Sequence, residues 1–233
     1  MLNVFPYNGL GRANYGWLDA RHHFSFAEYY DPNRMGFGAL RVVNDDIIAP
    51  GTGFDMHRHQ DMEIITFVRE GAITHRDSNG NQGRTVAGDV QVMSAGTGIY
   101  HSEKNAENIP TNLYQIWIEP NELGVKPRWD DCQFSRDKPA DALELLVSGD
   151  GKAPLQIHQD AYIYAGHLAA GTSLQHPIHG QAYVLVSQGT IDLDKNRLSK
   201  GDGAAVSSQK TVSISVLETA EILFIDVPPK PTR

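Results

Sequence analysis

The chain has 233 residues, a net charge of −8 and one cysteine. That length can bury a real core as one large all-β domain or two smaller ones, the acidic balance gives no support to broad contact with nucleic acid or anionic lipid, and the single Cys132 excludes an internal disulfide. No basic-then-apolar leader opens the chain and no apolar run approaches the roughly 20 residues of a membrane-spanning helix, so a soluble, cytoplasmic protein is expected.

The first forty residues are rich in Gly, Asn and aromatics, and no helical period fits them. His22 and His23 lie beside Phe24 and Phe26. Neighbours on a strand point to opposite faces, so the pair is read as one histidine on each side of a short strand and not as a chelate. Asp31-Pro32-Asn33 signals a turn.

From Ala39 onward the chain reads as short β runs separated by turn residues. Residues 40–43 form a strand candidate, followed by the turn-like Asn44-Asp45-Asp46 and by Ile47-Ile48. Residues 63–68 and 90–93 are further strands. Asp77-Ser78-Asn79-Gly80 predicts a hairpin, since Asn-Gly accepts the positive φ of a type I′ turn. Residues 113–118 are nearly continuous apolar, as in a strand buried on both faces. Short strands at this spacing, with almost no helical stretch, indicate an all-β sandwich or barrel.

The chemistry concentrates between His57 and Glu103. His57-x-His59 opens this stretch and His101-x-Glu103 closes it. Residues two apart on a strand share a face. If the two strands face a common interior, three imidazoles and a carboxylate converge on one point. Such a donor set suits a first-row divalent metal, and no thiolate is at hand for a closed structural zinc site.

Residues 120–134 carry two prolines and several charges, and are read as a connector in which Cys132 has no assigned chemistry. The second half echoes the first. Gln188-Gly189-Thr190-Ile191 repeats Glu70-Gly71-Ala72-Ile73, and Lys200-Gly201-Asp202 repeats Ala87-Gly88-Asp89, which suggests duplication of one β module. The metal pattern is not repeated there. His176 and His179 are three apart, which puts them on opposite strand faces, and His158 and His167 are isolated.

The segments GWLDARHHFSF, MGFGALRVVNDD, HRHQDMEIITFVREG, MSAGTGIYHSE and LYQIWI, in this order and spacing, resemble the pirin-like bicupin family. Within it the chain is most similar to bacterial members described as quercetin 2,3-dioxygenases. The resemblance implies an all-β fold of two cupin barrels packed face to face. It expects a metal-binding barrel over 1–119, a connector over 120–134 and a degenerate barrel over 135–233. It implies His57, His59, His101 and Glu103 as ligands, and it leaves Glu63, which stands where many other cupins carry a glutamate ligand, outside that set. The cofactor implied is one divalent ion, Fe(II) first, with Mn, Co, Ni, Cu or Zn as alternatives. The implied reaction opens the central ring of a flavonol such as quercetin with O₂ and releases CO, with Glu103 as general base. The alternative is a metal-dependent module of the eukaryotic pirin type that meets a protein partner without turnover.

Overall fold

The computed structural model describes residues 1–134 and 141–230; residues 135–140 and 231–233 of the expected second barrel lie outside the described residues. Among the described residues the regular structure is β throughout, apart from one 3-10 turn at Tyr7–Gly9. Among the described residues no helix is long and apolar enough to cross a membrane.

The strands form three sheets. The seven-stranded sheet runs Arg128–Cys132, Val90–Ser94, Glu63–Glu70, Thr111–Ile118, Leu40–Ile48, Leu18–His22, Gly11–Asn14. A four-stranded sheet, Gly53–His59, Ile99–Lys104, Ala72–Asp77, Gln82–Val86, faces it and completes the first barrel. A nine-stranded sheet built around Gln181–Leu193 and Thr211–Val227 forms the second.

The two barrels meet across a continuous apolar layer. Val43, Ile65, Phe67, Val92, Tyr114 and Ile116 of the first pack with Val147, Ile163, Tyr183, Leu185, Leu223 and Ile225 of the second. This explains why residues 113–118 read as buried on both faces. Thr111–Ile118 lies mid-sheet, with one face in this layer and the other inside the first barrel. Sheet pairing there is antiparallel, so burial on both faces comes from barrel packing and not from a parallel sheet.

The interiors differ. Val184, Val186, Ile191, Leu193, Leu198, Ile214, Ile222 and Phe224 fill the second barrel. The first is apolar only at its ends, around Leu18, Ala20, Ile48, Val68, Ile73 and Leu113 and around Ile64, Met93, Ala95 and Ile99. Its middle is polar.

Four local expectations are corrected. Asn44-Asp45-Asp46 is no turn but the centre of one strand, Leu40–Ile48. The polar run survives in a strand because each side chain has somewhere to go. Asn44 and Asp46 face the barrel interior, while Asp45 on the other face pairs with Arg69, whose guanidinium lies 4.2 Å from the Tyr114 ring centre. The loop after Asp77 is not type I′, because Gly80 takes a positive φ (+88°) and Asn79 does not. There the Asp77 carboxylate accepts the backbone N–H of Asn79 at 2.9 Å and of Asn81 at 3.0 Å, which organises a longer turn. Arg128–Cys132, inside the expected connector, is a strand paired with Val90–Ser94, anchored by Trp129 against the apolar end of the first barrel. Finally, Leu2–Phe5 crosses to the second barrel and pairs with Gly203–Val206, because Leu2 and Val4 pack into that core.

The internal repeat is visible in the backbone. Gly71 and Gly189 both hold a positive φ, +73° and +78°. A Cβ on Gly71 would lie 2.8 Å from the Pro110 carbonyl oxygen, and one on Gly189 would lie 2.3 Å from that of Thr219. The same corner is made twice where only glycine fits.

Candidate metal centre

His57 and His59 project from Gly53–His59, and His101 from its neighbour Ile99–Lys104, where His101 stands opposite His57. Their candidate ligand atoms lie within 4.8 Å of one another, and the three residues form a group that could hold a metal ion. The ring centres are 4.4 Å (His57–His101), 4.8 Å (His57–His59) and 5.0 Å (His59–His101) apart.

The state of these rings fits a metal. His57 Nδ1 donates to the Asp55 carbonyl at 2.7 Å, which leaves the Nε2 lone pair free. Both ring nitrogens of His101 are buried and have no hydrogen-bond partner among the described residues. Burial, reinforced by the neighbouring imidazoles, pushes His101 down to about 3 and His59 down to about 4, so both are neutral and able to coordinate at pH 7. Buried imidazole nitrogens without a partner, such as those of His101, are costly unless an acceptor of the lone pair completes the site.

Glu103 follows His101 by two residues and lies beside the same cavity, but it is not part of the close histidine group. Its carboxylate is held by amides. Gln91 Nε2 donates to Oε1 at 2.6 Å and Gln115 Nε2 donates to Oε2 at 2.7 Å. The Thr66 hydroxyl, 3.1 Å from both Glu103 Oε1 and Gln115 Oε1, has one proton to share between them. Gln91 cannot turn its amide round, because its Oε1 already accepts from Thr85 Oγ1 at 3.0 Å and from Trp129 Nε1 at 3.3 Å.

These groups belong to one polar belt. His22, Asn44, Gln115, Thr66 and Gln91 are successive in-register neighbours across five strands of the large sheet. At one end His22 Nδ1 meets Asn44 Oδ1 at 2.8 Å, and at the other the belt reaches Glu103 of the facing sheet. Sequence reasoning missed Asn44, Asp46, Thr66, Gln91 and Gln115. The available signal was a polar residue within an otherwise apolar strand, and it carries no chemistry until the register aligns the row.

A second support lies behind His101. The His75 ring is 5.3 Å from that of His101 and stacks on Trp129 at 5.0 Å, and its Nε2 is 3.1 Å from Asp77 Oδ2. His75 and Asp77 stand opposite Glu103 and His101 on the neighbouring strand.

The cavity has a volume of about 750 Å³. Trp17, Phe26, Phe54, Ile64 and Trp117 give it flat apolar walls, and His22, Asn44, Asp46, Gln115, Glu103 and the three histidines give it a polar interior. Trp117 meets the His59 ring edge-on at 4.9 Å. Such a space suits a flat aromatic molecule with a few polar groups.

The other histidines lie elsewhere. His23 leaves the strand on the side opposite His22 and bonds the Tyr183 hydroxyl at 3.0 Å between the barrels. His176 packs against Tyr164 and Phe224, and His179 against Tyr162. His167 belongs to Tyr162–Leu168, and His158 lies 3.9 Å from Glu122. Glu63 accepts from Ser94 Oγ at 2.7 Å and does not line the cavity. Cys132 is half-buried opposite Val90.

Comparison with known proteins agrees with this architecture. Residues 6–118 match the family model described as Pirin, and residues 145–227 the one described as Quercetinase C-terminal cupin domain. A pirin-like protein of Caulobacter vibrioides is 47% identical, over 97% of this chain and 99% of its own length. The quercetin 2,3-dioxygenase of Escherichia coli K12 is 43% identical, over 98% of this chain and 100% of its own. Among solved structures, the bacterial pirin YhhW from Escherichia coli in complex with nickel(II) superposes with a TM-score of 0.93 at 42% identity, covering 98% of this chain and 100% of that one.

Proposed function

This chain belongs to the pirin family, and from that premise we propose that it is a metal-dependent dioxygenase that opens the central ring of flavonols such as quercetin with O₂ and releases carbon monoxide. The observation that carries the reading is the convergence of three histidines, two of them held neutral by burial, on the wall of an aromatic-lined cavity beside a carboxylate.

His57, His59 and His101 would hold the ion, with Glu103 as the fourth ligand. Fe(II) is the ion we assign first, although nitrogen and oxygen donors also accept Mn, Co, Ni, Cu or Zn. Such an ion, once bound, would supply Lewis acidity that lowers the pKa of a substrate hydroxyl.

The chain's own residues supply orientation and proton handling. Trp17, Phe54 and Trp117 take the flat rings and exclude water. Among the described residues Oε2 of Glu103 accepts one hydrogen bond, from Gln115, while Oε1 accepts from Gln91 and Thr66. Oε2 therefore has one lone pair to spare, and on this reading Glu103 offers it to the ion before substrate binds and to the proton of the flavonol 3-hydroxyl afterwards. Gln91 and Gln115 stop the carboxylate from rotating away.

The test is aerobic assay of protein loaded with each ion in turn, following loss of flavonol absorbance and release of CO. Turnover no greater than that of free metal with every ion overturns the enzyme reading. A protein that keeps its metal yet gives no turnover would then be read as a metal-dependent binding module.

A further inference from the structure

Asp46 takes no part in the metal group or in the hydrogen-bonded belt, yet it lines the same cavity. It sits two residues after Asn44 on one strand, so both side chains face the interior. Asn44 is bonded to His22. Asp46 is 2% exposed, and among the described residues its buried Oδ1 has no hydrogen-bond partner. Its in-register neighbours, Ala20 and Leu113, belong to the apolar end of the barrel. Buried carboxyl oxygens are almost always paired, and an unpaired one in a residue that lines a cavity needs a reason.

Burial, with the nearby carboxylates of Asp45 and Glu103, pushes the Asp46 pKa well above the ordinary range, against a smaller opposing effect of Arg69. A carboxyl group in that condition offers no charge to a cation, but its oxygen still accepts from a hydroxyl. Position adds a constraint. Asp46 is on the seven-stranded sheet and the histidines are on the facing four-stranded one, so a molecule that touches both spans the cavity.

We propose that Asp46 is a specificity-determining residue, whose Oδ1 accepts a hydrogen bond from a phenolic hydroxyl on the part of an aromatic substrate that lies away from the metal. The assignment deepens the dioxygenase reading and rests on it for the substrate class. It makes the preferred substrate a polyphenol with hydroxyls on more than one ring, and not a flavonol skeleton alone.

The test uses binding, so that it does not depend on turnover. Zinc-loaded protein, kept free of O₂, is titrated calorimetrically with quercetin and with 3-hydroxyflavone, which keeps the metal-binding hydroxyl and lacks the others. Wild-type protein should prefer quercetin by about tenfold or more, the worth of one good buried hydrogen bond. Asp46→Asn keeps an accepting Oδ1 and should keep the preference. Asp46→Leu should lose about tenfold of it. Asp46→Leu should also melt no lower than wild type, since it removes an unpartnered oxygen from an apolar layer, whereas a merely structural Asp46 would give a lower melting temperature and an unchanged preference. A preference that survives in Asp46→Leu overturns the assignment of Asp46 alone. Failure of the wild type to bind either flavonol overturns the dioxygenase reading, and this inference with it.

Discussion

Gln91 and Glu103 face each other across the first barrel, amide nitrogen to carboxylate oxygen at 2.6 Å, from strands in opposite sheets. The contact links the two sheets at the level of the histidine cluster. It is directional, because Thr85 and Trp129 occupy the amide oxygen of Gln91 and commit its NH₂ to Glu103. With Gln115 doing the same at the second oxygen, the carboxylate stands between two donors. Three of the predictions below concern this arrangement or the histidines beside it.

Glu103→Gln keeps the size of the side chain but brings an NH₂ group where both neighbours already donate. Either one donor faces another or Gln115 turns its amide and gives up its present contact with Thr66, so the variant should lose about 1–3 kcal/mol of stability, read from denaturant unfolding. The three imidazoles should still retain a divalent ion at reduced affinity. Loss of the base should lower flavonol turnover by about 10²–10⁴ at neutral pH, with partial recovery as the pH rises and bulk hydroxide ionises the substrate. Unchanged turnover in the metal-replete variant would show that this carboxylate is not the base.

Gln91→Leu removes the central member of the network and strands the Thr85 hydroxyl and the Trp129 indole N–H. A loss of about 2–4 kcal/mol is expected, more than one ordinary hydrogen bond, because several groups lose a partner together. Elemental analysis should find metal still bound, since no candidate ligand is touched. If stability were unaltered, the belt would be a passive lining.

His59→Ala should abolish metal retention and leave the fold largely intact. Stability resides in the apolar layer between the barrels and in the filled second barrel, not in the metal. Circular dichroism of the purified variant checks this. An unfolded variant would make the site a structural staple and remove the basis of the enzyme reading.

His176 gives a pH signature in the second barrel, away from the metal centre. Burial between Tyr164 and Phe224, with a smaller effect of His179, pushes it down to about 4. The folded pKa lies below the unfolded one, so the unfolded state takes up the proton first. Stability is therefore unaffected above about pH 6.5 and falls as the pH drops from there toward about 4. The slope from this one residue approaches about 1.4 kcal/mol per pH unit. His176→Gln should remove it. The difference in unfolding free energy between variant and wild type, measured from pH 7.5 to 4.5, should shift steadily in favour of the variant on acidification. A flat difference would refute the assignment.

The local spacing of the chain determined the β class and the pairing of the first two histidines of the metal group. The pairing of His57 with His59 is legible because strand alternation acts over two residues and needs no knowledge of the partner strand, whereas the approach of His101 to them depends on the neighbouring strand. The glycine corners at Gly71 and Gly189 are equally local, since each reports a backbone angle only glycine adopts freely. Tertiary structure decided the rest. Asn44-Asp45-Asp46 has the composition of a turn, and it becomes a strand because His22 meets Asn44, Arg69 meets Asp45 and the cavity lies beside Asp46. Thr66, Gln91 and Gln115 are single polar residues far apart in the chain, and only the sheet register sets them in one row against Glu103. Burying a polar group is unfavourable until a partner arrives, and those partners come from strands that only the folded barrel brings together.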